Sequence, residues 1–150
     1  MLRPLASGDA ERCDAIIASL PDWFGNDEGI ELCKAAVRSH QGLVSVAPDQ
    51  VVAFITWDVR FPTTAEITWL AVDPAHHRQG HGASLVDEMM QHAAGGGVRL
   101  VVVHTLSSTA PDPFYEQTRT FWEAVGFFSV AERPDLWSEE NPALLMAREV

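Results

Sequence analysis

The chain is poor in basic residues: lysine and arginine together number 10, against 21 aspartates and glutamates, and the formal net charge is −11. Lys34 is the only lysine. Proteins that bind nucleic acid directly need a basic face, so the composition argues against that class. The acidity favours a cationic or amine-bearing substrate through electrostatic steering, and acidity that serves solubility alone is the alternative.

Cysteine and long apolar runs are also scarce. Cys13 and Cys33 lack the spacing of a metal or redox motif, and we expect both to be reduced, buried thiols. No apolar run reaches the roughly 18 residues that cross a bilayer, and the first residues lack the apolar core of a signal peptide. These absences predict a cytoplasmic protein that has no membrane partner.

The alternation of helical and strand-like patterns predicts one mixed α/β domain over residues 1–150. Ser7 and Asp9 are expected to cap the first helix. Segments with helical spacing are residues 10–20, 28–39, 83–94 and 114–125. Strand-like segments are residues 1–6, 42–46, 51–57, 66–72, 98–104, 127–130 and 144–149. The prolines and turn formers of 132–142 indicate an insert between the last two strands.

The most informative stretch, residues 71–86, reads as the end of a strand, a glycine-bearing loop and the start of a helix. Asp73-Pro74 ends the strand. Gly80 and Gly82 have no side chains, so the backbone is accessible where the helix begins. A helix start offers free N–H groups and a positive dipole end to phosphate, and Arg78 adds charge. The loop is not a P-loop, since no Gly-Lys-Ser/Thr closes it, and it lacks the three-glycine spacing of a dinucleotide fingerprint.

Residues 77–82, His-Arg-Gln-Gly-His-Gly, resemble the acyl-CoA-binding signature Arg/Gln-x-x-Gly-x-Gly/Ala of the GNAT superfamily of N-acetyltransferases. The departure is the histidine at the first position, where the family's contacts are largely made by backbone amides. Residues 121–127 resemble the family's late helix, 66–72 its fourth strand and 144–150 its closing strand. The resemblance is specific from about residue 50 onward and implies the acyl-CoA N-acyltransferase fold. That fold has a twisted, mostly antiparallel sheet of about six or seven strands flanked by helices.

The resemblance implies that acetyl-CoA is the co-substrate. Its pyrophosphate would lie on the glycine-bearing loop, and its thioester carbonyl on backbone N–H groups where the fourth strand ends. The loop residues are His77, Arg78, Gln79, Gly80, His81, Gly82, Ala83 and Ser84, and the strand residues are Leu70, Ala71 and Val72. His76, His77 and His81 crowd the loop, but apart from Asp73 no acid or cysteine stands in ligand spacing. We therefore expect no metal site.

Glu66 is the candidate general base, because several relatives carry a glutamate base at this position. We expect partial burial in an apolar strand to raise its pKa; the alternative is a strand-end carboxylate that faces water. Trp122 stands where relatives often carry a tyrosine acid, and an indole N–H cannot give up a proton near neutral pH. Tyr115, the only tyrosine, lies about two turns earlier on the same helix face and is the candidate general acid. A relaying water and a purely structural tyrosine are the alternatives.

Four residues are candidates for binding the acceptor: Trp23, Phe24, Trp69 and His104. In the family, the first two helices line the acceptor-binding side, and acidic residues such as Asp22 would make that lining anionic. The alternative is that the loop aromatics only anchor the loop to the core. His104, at the end of a central strand, is either a relay group or a hydrogen-bonded core histidine.

The function predicted from these features is acetyl-CoA-dependent N-acetyl transfer to a primary amine of a small molecule, by direct attack in a ternary complex. No cysteine stands in a reactive context, which disfavours a covalent enzyme intermediate. Two alternatives are a non-catalytic acyl-CoA-binding sensor or regulatory module and a protein-modifying acetyltransferase. The partners expected are the amine and, as an open alternative, a second copy of the chain in a homodimer.

Overall fold

The computed structural model describes residues 1–150. The strands are β1 (Leu2–Pro4), β2 (Gln41–Val46), β3 (Val51–Phe61), β4 (Thr64–Val72), β5 (Leu100–Leu106), β6 (Phe128–Ser138) and β7 (Asn141–Glu149). The helices are α1 (Ala10–Ala18), α2 (Asp27–Ser39), α3 (His81–Gly95) and α4 (Pro113–Ala124), with one-turn 3-10 helices at Ser7–Asp9 and Pro74–His76. None of the helices combines the length and the apolar character that crossing a bilayer requires.

The seven strands form one sheet in the order β1-β2-β3-β4-β5-β7-β6. Neighbouring strands are antiparallel except β4 and β5, which are parallel. The predicted mixed α/β fold, with mostly antiparallel strands flanked by helices, is therefore confirmed. The parallel pairing joins only Thr64–Ile67 to Leu100–Val103. Beyond it, β4 continues along β3 and β5 along β7, so the two strands separate towards their carboxyl ends.

Two apolar clusters fill the core. Leu85 of α3 and Trp122 of α4 belong to one cluster, and α1 and α2 pack around Phe54 in the other. Cys13 and Cys33 lie in the second cluster with exposed fractions of 0% and 1%. Burial raises the pKa of both thiols to about 12. Both are free and stay protonated, so the prediction of reduced, buried thiols is confirmed.

The region after α4 differs from its prediction. Residues 132–142, expected as a turn-rich insert, instead continue β6 to Ser138 and begin β7 at Asn141. β6 pairs only with β7, and nearly all of it is exposed. An edge strand tolerates Pro134, because one row of its backbone groups needs no partner. Exposure on both faces removes the apolar alternation by which a strand is usually predicted.

Helix starts also differ from their predictions. The side chains of Ser7 and Asp9 do not cap α1. The Asp9 carboxylate instead accepts hydrogen bonds from the Ala6 N–H, at 2.9 Å, and from Arg3, at 2.8 and 2.9 Å. The Arg3 hydrogen bond holds the pKa of Asp9 below its usual value. α3 begins at His81, two positions before the predicted start. Gly80 is therefore the N-cap of the helix, and Gly82 lies in its first turn.

Candidate active site

The separation of β4 from β5 exposes backbone groups at the carboxyl end of β4. The Asp73 N–H donates to the Val52 carbonyl at 2.8 Å, and Ala71 pairs with Phe54 in the same register. Because N–H directions alternate along a strand, those of Leu70 and Val72 face the gap left by β5. A register shift between Thr56 and Trp57 of β3 marks where β4 leaves its regular pairing. The gap is therefore lined by the N–H groups of Leu70 and Val72, whereas that of the third predicted strand residue, Ala71, faces β3.

The loop from β4 to α3 presents a second row of N–H groups. The first backbone hydrogen bond at the start of α3 runs from the Ser84 N–H to the Gly80 carbonyl, and the N–H groups of 78–83 donate to no acceptor in the protein. Arg78, at φ 61°, and Gly80, at φ 84°, adopt left-handed conformations that turn the chain into the helix. Free N–H groups at a helix start are suited to an anion, and the pyrophosphate site predicted for this loop stays a prediction.

Two contacts fix this loop to its surroundings. The His77 Nε2–H donates to the Val72 carbonyl at 2.9 Å. Asp73 accepts from Arg12 of α1 at 2.5 Å and from the Ala75 N–H at 3.0 Å. The Ala75 hydrogen bond, with a smaller contribution from Arg12, keeps the pKa of Asp73 below its ordinary value.

Gly82 is required by packing rather than only by space for a phosphate. A Cβ at this position would lie 3.1 Å from Cε1 and 3.2 Å from Cζ of Phe121. Gly82 is buried, whereas Gly80 is exposed and a Cβ there would meet nothing within 4 Å. The two glycines of the motif thus serve different purposes: Gly80 permits the turn, and Gly82 lets α3 approach α4.

The loop histidines have separate surroundings. His81 Nδ1 lies 2.8 Å from the Ser45 hydroxyl, and its ring packs edge-on against His76 with centroids 5.9 Å apart. Burial, followed by the proximity of His76, lowers the pKa of His81. His77 is held on β4, as described above. The side chains of His77, Arg78 and Gln79 are exposed beside the free N–H groups.

Glu66 and His104 meet where the parallel strands part. His104 Nδ1–H donates to Glu66 Oε2 at 2.7 Å, and each side chain is 17% exposed. Arg60 of β3 contacts the other carboxylate oxygen, with Nε at 3.0 Å and Nη2 at 2.8 Å. The expectation that burial raises the pKa of Glu66 is wrong: the hydrogen bonds from His104 and Arg60 outweigh burial and lower it. Sequence reasoning missed Arg60, because a single arginine between two predicted strands carries no local pattern.

Tyr115 and Trp23 join the α1–α2 loop to α4. The Tyr115 hydroxyl donates to the Trp23 carbonyl at 2.7 Å, and burial raises the pKa of this tyrosine, with a smaller contribution from Asp112. Trp23 Nε1–H lies 3.2 Å from both the Phe114 carbonyl and the Thr118 hydroxyl. The predicted acid therefore holds a loop in this structure.

The four predicted acceptor residues do not form one cluster of contacts. Trp23 packs on Phe114, with ring centroids 5.0 Å apart, and on His77 at 6.1 Å. Phe24 packs on Trp69 at 5.8 Å. His104 contacts Glu66 instead of these aromatic rings.

A polar chain that the sequence did not reveal lies near the separation of β4 from β5. His40 Nδ1 is 3.1 Å from the Thr68 hydroxyl, which is 2.8 Å from the Thr56 hydroxyl. Thr68 stands at the register shift of β4. A histidine after a helix and two threonines on strands carry no local pattern, so only the fold brings them together.

Residues 12–121 match the family model described as the acetyltransferase (GNAT) family. The chain belongs to this family. It is accordingly an N-acetyltransferase. A search of curated proteins finds no match to this GNAT chain.

Solved structures support the GNAT fold. A protein from Desulfovibrio desulfuricans assigned to the GNAT family shares 18% identity, covers 99% of this chain and 98% of its own, and superposes with a TM-score of 0.86. The ribosomal-protein-S18-alanine N-acetyltransferase from Escherichia coli gives 18% identity, 100% and 93% coverage and a TM-score of 0.79. An aminoglycoside 6′-N-acetyltransferase complexed with coenzyme A shares 18% identity, covers 99% of this chain and 96% of its own, and superposes with a TM-score of 0.77. At this identity the likeness establishes the fold alone.

Proposed function

We propose that this GNAT acetyltransferase transfers an acetyl group from acetyl-CoA to a primary amine of a small molecule, by direct attack in a ternary complex. The observation that carries the proposal is the gap between β4 and β5. It opens between a row of free N–H groups on the loop and the contact of Glu66 with His104. These are the parts that acyl transfer to an amine needs: an anchor for the donor, donors for the thioester oxygen and a proton acceptor.

Each part has a place in this chain. The N–H groups of 78–83 and the exposed Arg78 would hold the pyrophosphate. The N–H groups of Leu70 and Val72, which face the gap, would donate to the thioester oxygen as it gains charge. Similarity to a relative complexed with coenzyme A supports this donor. Cys13 and Cys33 are buried with pKa values of about 12, which favours direct transfer over a covalent acyl-enzyme.

The two protons of the reaction require two groups. The contact pair of Glu66 and His104 lies at the start of the gap and would take the proton from the amine. Tyr115 remains the candidate that protonates the leaving thiolate. Its hydroxyl donates to the Trp23 carbonyl, so it would have to leave that carbonyl or act through a water. The alternative assignment, a relaying water alone, differs only in this step.

A small-molecule acceptor is favoured over a protein by the α1–α2 loop. The hydrogen bonds of Trp23 fix this loop to α4, and the packing of Phe24 on Trp69 fixes it to β4, so aromatic side chains are available to a small acceptor. The net charge of −11 favours a cationic amine through steering. Relatives with this fold act on both classes, an aminoglycoside and a ribosomal protein.

The test is thiol release from acetyl-CoA with a panel of small mono- and polyamines, beside peptides that carry a free N-terminal amine. We expect amine-dependent thiol release with initial-rate patterns of a ternary complex. Coenzyme A binding without release for any amine, measured by calorimetry, would establish the sensor function instead. Peptides that are acetylated with higher kcat/KM than every small amine would assign the protein-modifying function.

A further inference from the structure

We infer that His104, rather than Glu66, takes the proton from the attacking amine, and that Glu66 is the positioning residue that holds His104. The inference rests on the proposed function, and it assigns the two members of the contact pair to different roles.

Both oxygens of the Glu66 carboxylate are occupied. Oε2 accepts from His104 Nδ1 at 2.7 Å, and Oε1 contacts Arg60 at 2.8 and 3.0 Å. Asp58, also on β3, lies 3.1 Å from the same arginine. A carboxylate that receives charge-assisted hydrogen bonds on both oxygens is stabilised in its ionised form. Glu66 is therefore suited to holding charge and not to accepting a proton.

His104 has the opposite arrangement. Because its Nδ1 must carry hydrogen to donate to a carboxylate, Nε2 of the neutral ring carries the lone pair. Nε2 is buried and has no hydrogen-bond partner in the protein. A buried acceptor without a partner is unfavourable and uncommon in folded proteins, and a proton-accepting role accounts for it here.

The position of His104 along β5 matches this role. Glu66 lies level with Val102, and the last residue of β5 that pairs with β4 is Val103. His104 follows at once, where β4 and β5 begin to separate. The two nitrogens of an imidazole ring point in nearly opposite directions, so Nε2 faces away from Glu66. On the other side, β7 places the uncharged Leu145 opposite His104. Glu66 is the charged group that forms a hydrogen bond with the ring.

The proton balance is complete without a further reactant. As the nitrogen–carbon bond forms, the carbon–sulfur bond breaks and a proton on the nitrogen moves to His104 Nε2. The Glu66 carboxylate stabilises the resulting imidazolium through Nδ1–H. The thiolate leaves and takes a proton from Tyr115 or from a water, which regains a proton from solvent, and His104 returns its proton to solvent.

His104→Ala tests the inference, with His92→Ala on the exposed face of α3 as the matched control. We expect the kcat/KM of His104→Ala to fall by about 10²–10⁴, with an unchanged coenzyme A Kd. Added imidazole should restore part of the rate, and the loss should shrink for weakly basic amines that are already deprotonated. A merely structural histidine would show neither rescue nor dependence on the amine.

A second measurement uses the ring tautomer. In ¹⁵N NMR of the wild type we expect His104 to carry its proton on Nδ1. In Glu66→Gln, the amide oxygen should face Arg60 and the amide NH₂ should face His104, which moves the proton to Nε2 and lowers activity beyond rescue by imidazole. A His104→Ala rate within threefold of wild type, or an Nε2–H tautomer in the wild type, would overturn the inference and leave the proposed function standing. A wild type that acetylates no amine would overturn both.

Discussion

Replacing Ala83 with aspartate is the sharpest test of the anion site at the start of α3. Ala83 lies in the first turn, and its N–H is among the groups that donate to no protein acceptor. It is preferable to Gly82 as a test position, because a side chain at Gly82 would collide with Phe121 and confuse misfolding with lost binding. Ala83→Asn has nearly the same shape without the charge and is the control.

The size of the effect follows from charge alone. A carboxylate about 6 Å from one phosphate charge repels it by about 0.7 kcal/mol in bulk water and by about 3 kcal/mol at an effective dielectric constant of 20. A pyrophosphate carries two such charges, so the loss is at least about 1.4 kcal/mol, or tenfold in Kd. The same carboxylate stabilises the helix start by about 0.3–1 kcal/mol, so the variant should remain folded.

Calorimetry measures the difference in coenzyme A affinity between the aspartate and asparagine variants. We expect Ala83→Asp to bind coenzyme A at least tenfold more weakly than Ala83→Asn does. The difference in affinity should become smaller as ionic strength rises. Urea unfolding should show that the aspartate variant is no less stable than the asparagine variant. Equal coenzyme A affinities for the two folded variants would refute the placement of the pyrophosphate on this loop.

Three further predictions address the rest of the site. Tyr115→Phe should lower kcat and leave the acetyl-CoA Kd nearly unchanged if the phenol protonates the thiolate; a change of about 1 kcal/mol in stability with unchanged kcat would limit it to holding the Trp23 carbonyl. Because the folded-state pKa of Glu66 is lowered, its stabilisation should be present above the unfolded value of about 4.3 and lost as pH falls through the folded value. Urea unfolding between pH 3 and 7 should therefore show a weaker acid dependence in Glu66→Gln, and an identical dependence would contradict the assignment. Gly82→Ala should lose about 1–3 kcal/mol of unfolding free energy by forcing Phe121 aside, and an unchanged midpoint would argue against that contact.

The local structure of the segment that is continuous in sequence, from the end of β4 to the start of α3, was predicted well. Asp73-Pro74, Gly80 and the helix that follows act through bonds to near neighbours, so a strand, a turn and a free helix start can be inferred from residue types alone. The general fold followed in the same way, because buried strands and amphipathic helices keep their apolar periods. The continuation of β6 from residue 131 to Ser138 was missed, because an exposed edge strand keeps no such period.

By itself the sequence determined the glycine-bearing loop between β4 and α3 and the kind of fold that presents it. Tertiary structure alone decided what Glu66 does. His104 and Arg60 lie on two other strands, and only the register of β3, β4 and β5 brings them to one carboxylate. The physical reason is that a pKa depends on the balance between burial and hydrogen bonds. The apolar neighbours of Glu66 in sequence indicated burial, whereas its partners in space supply the charges that reverse the shift.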